Sequence, residues 1–230
     1  MFERPRIIRE APSYLAVYKP PGMHSAPLRT GEGGTLLEWA ASRFPGILRV
    51  RGRKALEGGL LHRLDYGTSG LALIARNQAA LEALASEQER DGFVKEYEAF
   101  SAGRREKPLP GFPPWGGEIP PPGESFEVTG AFRHYGPGRR AVRPLPAGAP
   151  GKRVYRTVLT MKGQGEGSRF TATITRGFRH QIRCHLAWIG WPLLNDGLYG
   201  GAGGGDFPAL RSRGLRFTDP DTGKTVVIRI

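Results

Sequence analysis

Apolar residues along this chain fall into two rhythms. Leu71-Ala72-Leu73-Ile74-Ala75 is an unbroken apolar run, and it predicts a strand buried on both faces. Tyr14-Leu15-Ala16-Val17-Tyr18 reads as a strand that stops at the stiff turn Pro20-Pro21-Gly22. The second rhythm is helical. Asn77 stands where an N-cap belongs, and Leu81, Leu84 and Gln88 share one stripe, predicting a helix from Gln78 to Arg90 with Gly92 as its stop. Thr35-Leu36-Leu37-Glu38 is a capping box and predicts a short helix through Trp39 and Phe44. There the Thr35 hydroxyl and the Glu38 carboxylate would satisfy amides that the helix leaves open.

Beyond a strand at 94–100 the pattern breaks. Residues 103–152 carry Pro- and Gly-rich runs, such as Leu109-Pro110-Gly111-Phe112-Pro113-Pro114, that cannot form regular structure. This stretch reads as a decorated insertion around a hairpin at Ser125 to Tyr135. Alternation returns over 154–161 and 169–176, predicting an antiparallel pair. Arg179 to Ile189 reads as a helix ended by Gly190 and Pro192, with Arg179 and Arg183 on one face. Gly200 to Gly205 is a loop, and 215–218 with 225–230 form a closing hairpin. Strands outnumber helices and no internal repeat is visible. The expected class is α+β, a curved mixed and mainly antiparallel sheet with flanking helices, in a single domain over 1–230.

Charge narrows the partners. The 230 residues hold 34 Lys and Arg against 21 Asp and Glu, a formal net charge of +13. That excess attracts polyanions, nucleic acid first and an anionic membrane surface second. The single cysteine, Cys184, excludes an internal disulfide, and no paired cysteines stand at zinc spacing. The N-terminal run Met1-Phe2-Glu3-Arg4-Pro5-Arg6 lacks an apolar signal region. The expectation is therefore a cytoplasmic monomer with no membrane contact and no obligate protein partner.

The densest candidate chemistry lies in His62-Arg63-Leu64-Asp65-Tyr66-Gly67-Thr68-Ser69-Gly70. The glycines permit tight turns and the hydroxyls can fix the loop, so an acid sits on a rigid loop ahead of a buried strand. Taken alone, Asp65 is more often a turn or cap residue. The stretch resembles the signature of the RluA class of pseudouridine synthases, and further segments match in the same order. These are Tyr18-Lys19-Pro20-Pro21-Gly22, Lys95-Glu96-Tyr97, Tyr155-Arg156-Thr157, and His180-Gln181-Ile182-Arg183 followed by Gly190, Pro192, Asp196 and Leu198-Tyr199-Gly200. One departure is Arg176-Gly177-Phe178-Arg179 before His180, where the class often carries Thr-Gly-Arg. Another is the insertion at 103–152, which could set substrate choice.

The resemblance implies a uridine isomerase acting on ribosomal or transfer RNA without a cofactor. By matching position, Asp65 would be the essential carboxylate, Arg183 the arginine that pairs with it, and Tyr97 the tyrosine against the base. Arg63 would fill the stack that a flipped nucleotide vacates. His62, Leu64 and His180 are the remaining candidates for substrate contact, and Leu71 or Ile182 for the pocket wall. Residue by residue, plainer roles compete: a surface phosphate contact for Arg183, a core aromatic for Tyr97, loop support for His62. His180, Cys184 and His185 do not make a metal site, because His185 leaves the face that His180 and Cys184 share. No separate S4-type RNA-binding domain is expected. Two rivals of other classes are an inactive RNA-binding module on the same fold and a basic RNA chaperone or ribosome-assembly factor.

Overall fold

The computed structural model describes residues 3–101, 103–146, 148–163 and 167–230. Met1 and Phe2 of the N-terminal run, and Ala147 of the insertion, lie outside the described residues. The chain divides into two compact units, Met1–Lys95 with Arg211–Ile230, and Glu96–Leu210.

In the first unit, strands β1 (Arg6–Glu10), β2 (Tyr14–Lys19) and β3 (Ser69–Ala75) pair antiparallel in sequence order. Strand β3 pairs parallel with β10 (Leu210–Thr218), which pairs antiparallel with β11 (Thr225–Arg229). The apolar runs are explained by burial on both faces. Tyr14, Ala16, Leu71, Leu73 and Ala75 pack on one side with Leu81 and Leu84 of helix α2 (Gln78–Glu89). Leu15, Val17, Ala72 and Ile74 pack on the other with Leu36, Leu37 and Ala40 of helix α1 (Leu36–Ala41). Successive strand residues point to opposite faces, so a strand covered by a helix on each side has no polar phase.

The caps largely follow the sequence, with instructive shifts. Thr35 Oγ1 accepts the Glu38 N–H at 3.2 Å, but the Glu38 carboxylate takes the Gly34 N–H at 2.5 Å instead of that of Thr35. Helix α1 ends at Ala41, and Phe44 leads a separate 3-10 turn, Pro45–Arg49. Asn77 Oδ1 accepts the Ala80 N–H at 2.8 Å. The stop of α2 is not Gly92 itself: Asp91 takes the left-handed conformation at φ 62°, and the Gly92 N–H reaches back to the Glu87 carbonyl at 2.9 Å. Asp tolerates that conformation better than most side chains, so the glycine serves as the next residue of the capping motif.

The second unit orders its main strands as β4 (Val94–Ser101), β9 (Ser168–Ile174), β8 (Tyr155–Met161) and β5 (Ser125–Gly130). The antiparallel β8–β9 pair is as expected. The hairpin expected over 125–135 is not. Ser125–Gly130 pairs with β8, while β6 (Phe132–Tyr135) pairs with β7 (Ala141–Pro144) in a sheet of its own. The chain changes sheets at Gly130, where a Cβ would lie 2.9 Å from the Trp188 ring. The hairpin turn is instead Gly136-Pro137-Gly138, whose glycines take φ of 78° and 62°. Helix α3 (Gln181–Trp188) starts two residues later than its pattern suggests, because His180 sits in the left-handed region at φ 56°. Arg179 therefore precedes the helix and shares no helical face with Arg183.

Candidate active site

In the first unit, the Asp65 loop is braced from the opposite segment. Ser25 Oγ donates to the Leu64 carbonyl and accepts the Leu64 N–H, each at 3.0 Å. Lys19 Nζ donates to the carbonyls of Pro20 and Met23, both at 2.8 Å, and of Tyr66 at 3.2 Å. The Gly22 N–H also reaches the Tyr66 carbonyl at 2.9 Å, and the Thr68 N–H closes the turn on the Asp65 carbonyl at 3.0 Å. Leu64 is buried and Asp65 half-buried between them. Lys19 is fully buried, and desolvation pushes its ammonium down to about 7, against the pull of the nearby Asp65 carboxylate.

The neighbours of Asp65 divide by exposure. Arg63 is exposed, and its Nε lies 3.3 Å from Glu57 Oε1. His62 packs on Phe93 at a ring-centroid separation of 5.7 Å, and both its ring nitrogens are buried with no hydrogen-bond partner among the described residues. Burial first, and the charge of Lys95 second, push its imidazole down to about 3, so His62 is neutral at pH 7. Lys95 is itself buried and pushed down to about 7 by desolvation, with Arg53 adding to the effect and Asp91 opposing it. Leu71 belongs to the apolar core beside Phe93.

In the second unit, Arg183 is anchored by Asp196. Its Nε and Nη2 donate to the two carboxylate oxygens at 2.7 and 2.8 Å, and both side chains are buried. The guanidinium carbon also lies 5.3 Å from the Tyr199 ring centroid. Tyr199 OH accepts the Val142 N–H at 2.9 Å and stands 3.1 Å from His180 Nδ1. Desolvation raises the Tyr199 hydroxyl well above its ordinary value, so it stays protonated. Gln181 fixes the start of α3 by donating to the Arg156 carbonyl at 2.9 Å and to Thr157 Oγ1 at 3.0 Å. Ile182 and Tyr97 are buried, Tyr97 on β4.

The expected residues therefore gather in two groups. His62, Arg63, Leu64 and Asp65 share one loop of the first unit, and His180 and Arg183 share the α3 start of the second. Sequence reasoning passed over three supports: Ser25, the carbonyl-gathering Lys19, and Asp196 as the partner of Arg183. Lys19 and Asp196 stood inside recognised motifs, but nothing in the sequence told which groups they would hold. Ser25 carried no signal at all. Among the described residues no group of three or more His, Cys, Asp or Glu is placed to hold a metal ion. Cys184 is buried, with Sγ 3.6 Å from the Val142 carbonyl. No helix of the described residues is long and apolar enough to cross a membrane.

Residues 13–188 match the family model described as RNA pseudouridylate synthase. An uncharacterized RNA pseudouridine synthase of Chloroflexus aurantiacus is 31% identical over 182 residues, covering 79% of this chain and 50% of the relative. A ribosomal large subunit pseudouridine synthase D of Haemophilus ducreyi is 28% identical, covering 85% of this chain and 52% of the relative. The chain thus spans about half the length of these curated relatives. Among solved structures, human RNA pseudouridylate synthase domain containing 1 aligns with a TM-score of 0.68 at 19% identity, covering 99% of this chain and 83% of that one. Human RNA pseudouridylate synthase domain containing 4 aligns at 0.64 and 16% identity, covering 97% and 87%. These likenesses establish the fold as the mixed α+β fold of pseudouridylate synthases. The family match encloses the Asp65 loop, Tyr97 and Arg183, and the chain belongs to the RNA pseudouridylate synthase family, in its RluA class.

Proposed function

We propose that this chain isomerises uridine in RNA to pseudouridine, with Asp65 as the essential carboxylate. The observation that carries the reading is the family match over 13–188, which takes in every motif of the resemblance up to α3. The reaction breaks the bond between ribose and ring nitrogen 1, turns the uracil, and joins ring carbon 5 to the same sugar carbon. The proton on carbon 5 is lost and nitrogen 1 gains one, so no atom is added and no cofactor is consumed. Asp65 acts at the sugar, on a loop whose backbone is already fixed. Arg183 supplies an oriented cation, and Tyr97 a ring against the base. His62, Leu64 and His180 complete the contacts to substrate.

The target must leave its stack at a cost of a few kcal/mol, and Arg63 is exposed enough to enter the gap. The net charge of +13 supports affinity through counterion release. Ribosomal RNA is the first substrate class to test, because a relative is named for the large ribosomal subunit; transfer RNA is the second. The test is a map of pseudouridines across total RNA from cells with and without the gene, repeated with Asp65→Ala. We expect a defined set of sites to vanish in both the deletion and the variant, while RNA affinity changes little. Residual turnover by Asp65→Ala overturns the role of the carboxylate.

A further inference from the structure

The inserted hairpin of the second unit builds a cleft that the proposed chemistry does not use. It has a volume of about 290 Å³ and is lined by Phe132, Tyr155 and Phe178 with Arg133, Arg139, Lys152 and Arg153, and by His134. The floor is aromatic. Phe132 and Phe178 stack with centroids 5.2 Å apart and planes at 12°, and Tyr155 packs on Phe178 at 5.1 Å. Phe132 is buried, whereas Tyr155 and Phe178 remain half-exposed. The rim is cationic and exposed, and among the described residues no ion pair neutralises its four Lys and Arg side chains. From Val128 to Gly165 the sequence contains no Asp or Glu. His134 is held below its ordinary range by desolvation, then by Arg139 and Arg179, as expected in a positive field.

Two features argue against an incidental patch. First, Arg133 and Arg143 stand directly opposite each other across the β6–β7 ladder. Like charges at such positions destabilise a strand pair; Arg143 lies over the Tyr135 ring at 5.2 Å and outside the cleft lining, whereas Arg133 stays on the cleft rim where an external anion can meet it. Second, the hairpin is anchored. In its second strand the Val142 N–H donates to Tyr199 OH at 2.9 Å, and at its tip Arg179 Nη1 donates to the Arg139 carbonyl at 3.2 Å. Those tethers lead to the segment that opens α3, the helix carrying Arg183.

We propose that this cleft is a second RNA subsite, which takes one base of a single-stranded flank of the substrate and the phosphates on either side of it. Aromatic faces with surrounding Arg and Lys are the chemistry of single-strand binding, in which stacking tolerates any base and cations follow the backbone. The inference rests on the proposed activity and deepens it: the insertion selects among RNAs while the Asp65 loop performs the chemistry.

The test uses the full chain and a fluorescein-labelled single-stranded RNA of about 12 nucleotides. A triple variant, Arg139→Asn, Lys152→Gln and Arg153→Gln, removes three rim charges, with Asn chosen because Arg139 sits at φ 54°. A control triple, Arg90→Gln, Arg216→Gln and Lys224→Gln, removes the same charge from exposed positions of the first unit. We expect the rim variant to bind at least about tenfold more weakly than the control. Its slope of log affinity against log salt should shrink by about 2, from about 0.7 per phosphate contact. Tyr155→Leu should weaken binding without changing the slope. On a substrate RNA, KM should rise with kcat unchanged. Equal loss in the rim and control variants overturns the subsite, as does wild-type binding by the rim variant. So does tight binding of a free nucleotide in the cleft with no competition by the oligonucleotide. The binding measurements need no turnover. Absence of pseudouridine from wild-type reactions would sink the activity alone, and the subsite would still be decided by affinity and slope.

Discussion

Replacing Asp196 with alanine should cost this protein far more than an average substitution. The carboxylate receives two parallel donors from Arg183 at 2.7 and 2.8 Å, with side-chain exposures of 9% for Arg183 and 1% for Asp196. Removing it leaves a guanidinium in a site with little water, and breaking a buried pair from one side costs about 3–5 kcal/mol. In a chain of this size each kcal/mol lowers the melting temperature by about 2–4 °C, so Asp196→Ala should melt roughly 6–20 °C below wild type. Differential scanning calorimetry reads this directly. The double variant Arg183→Met with Asp196→Ala removes both charges and places an apolar chain in the space. It should recover much of the loss, since apolar replacements of buried pairs are often neutral. An Asp196→Ala cost below about 1 kcal/mol, or a double variant as unstable as the sum of its singles, would refute the reasoning.

Three further outcomes are expected. Arg183→Ala should lower kcat at least about a hundredfold through loss of an oriented charge, and single-turnover assays showing near-normal rates would remove it from the mechanism. Lys19→Met strips the donor from the Tyr66 carbonyl of the Asp65 loop and from the Pro20 and Met23 carbonyls beside it, each worth about 1–3 kcal/mol if left unmet. It should cut kcat at least about tenfold while RNA affinity holds within about twofold, and an unchanged kcat would show that the brace is dispensable. Stability should depend on pH through His62 and His185, both pushed down to about 3 by burial. The unfolded chain takes up these protons below its ordinary value of 6.5 and the folded chain only near 3, so stability falls as pH drops through that window. Melting curves from pH 7 to 4 check the sign, and His185→Gln should flatten part of the slope.

Much of the first unit was legible because its elements obey local rules. The unbroken apolar run of β3 reports cover on both faces, and Thr35 and Asn77 cap the helices they precede. The misreadings share a cause, in that each needed information from a distant segment. The strand at 125–130 looked like half of a hairpin, yet its partner lies in β8, across an insertion that local pattern does not see. Helix α3 lost its first two residues because His180 adopts a left-handed backbone, where its ring meets the Tyr199 hydroxyl. At the candidate site, motif matching selected the residues, but it could not assign Asp196 to Arg183 or Ser25 to Leu64. Those pairs are separated by 13 and 39 positions and follow no period.

The supports of the two site segments differ in kind. Ser25 and Lys19 hydrogen-bond to main-chain atoms, Ser25 to the Leu64 N–H and carbonyl, and Lys19 to the Tyr66 carbonyl of the loop and the Pro20 and Met23 carbonyls of its own segment. Such a brace fixes the path of the chain at Leu64 and Tyr66 through the backbone. Arg183 is held side chain to side chain, with its Nε and Nη2 on the two oxygens of the Asp196 carboxylate. A lysine there keeps the charge but cannot meet both oxygens at once. A change at position 196 therefore acts on the Arg183 guanidinium directly, whereas a change at position 25 acts on the Asp65 loop through its backbone.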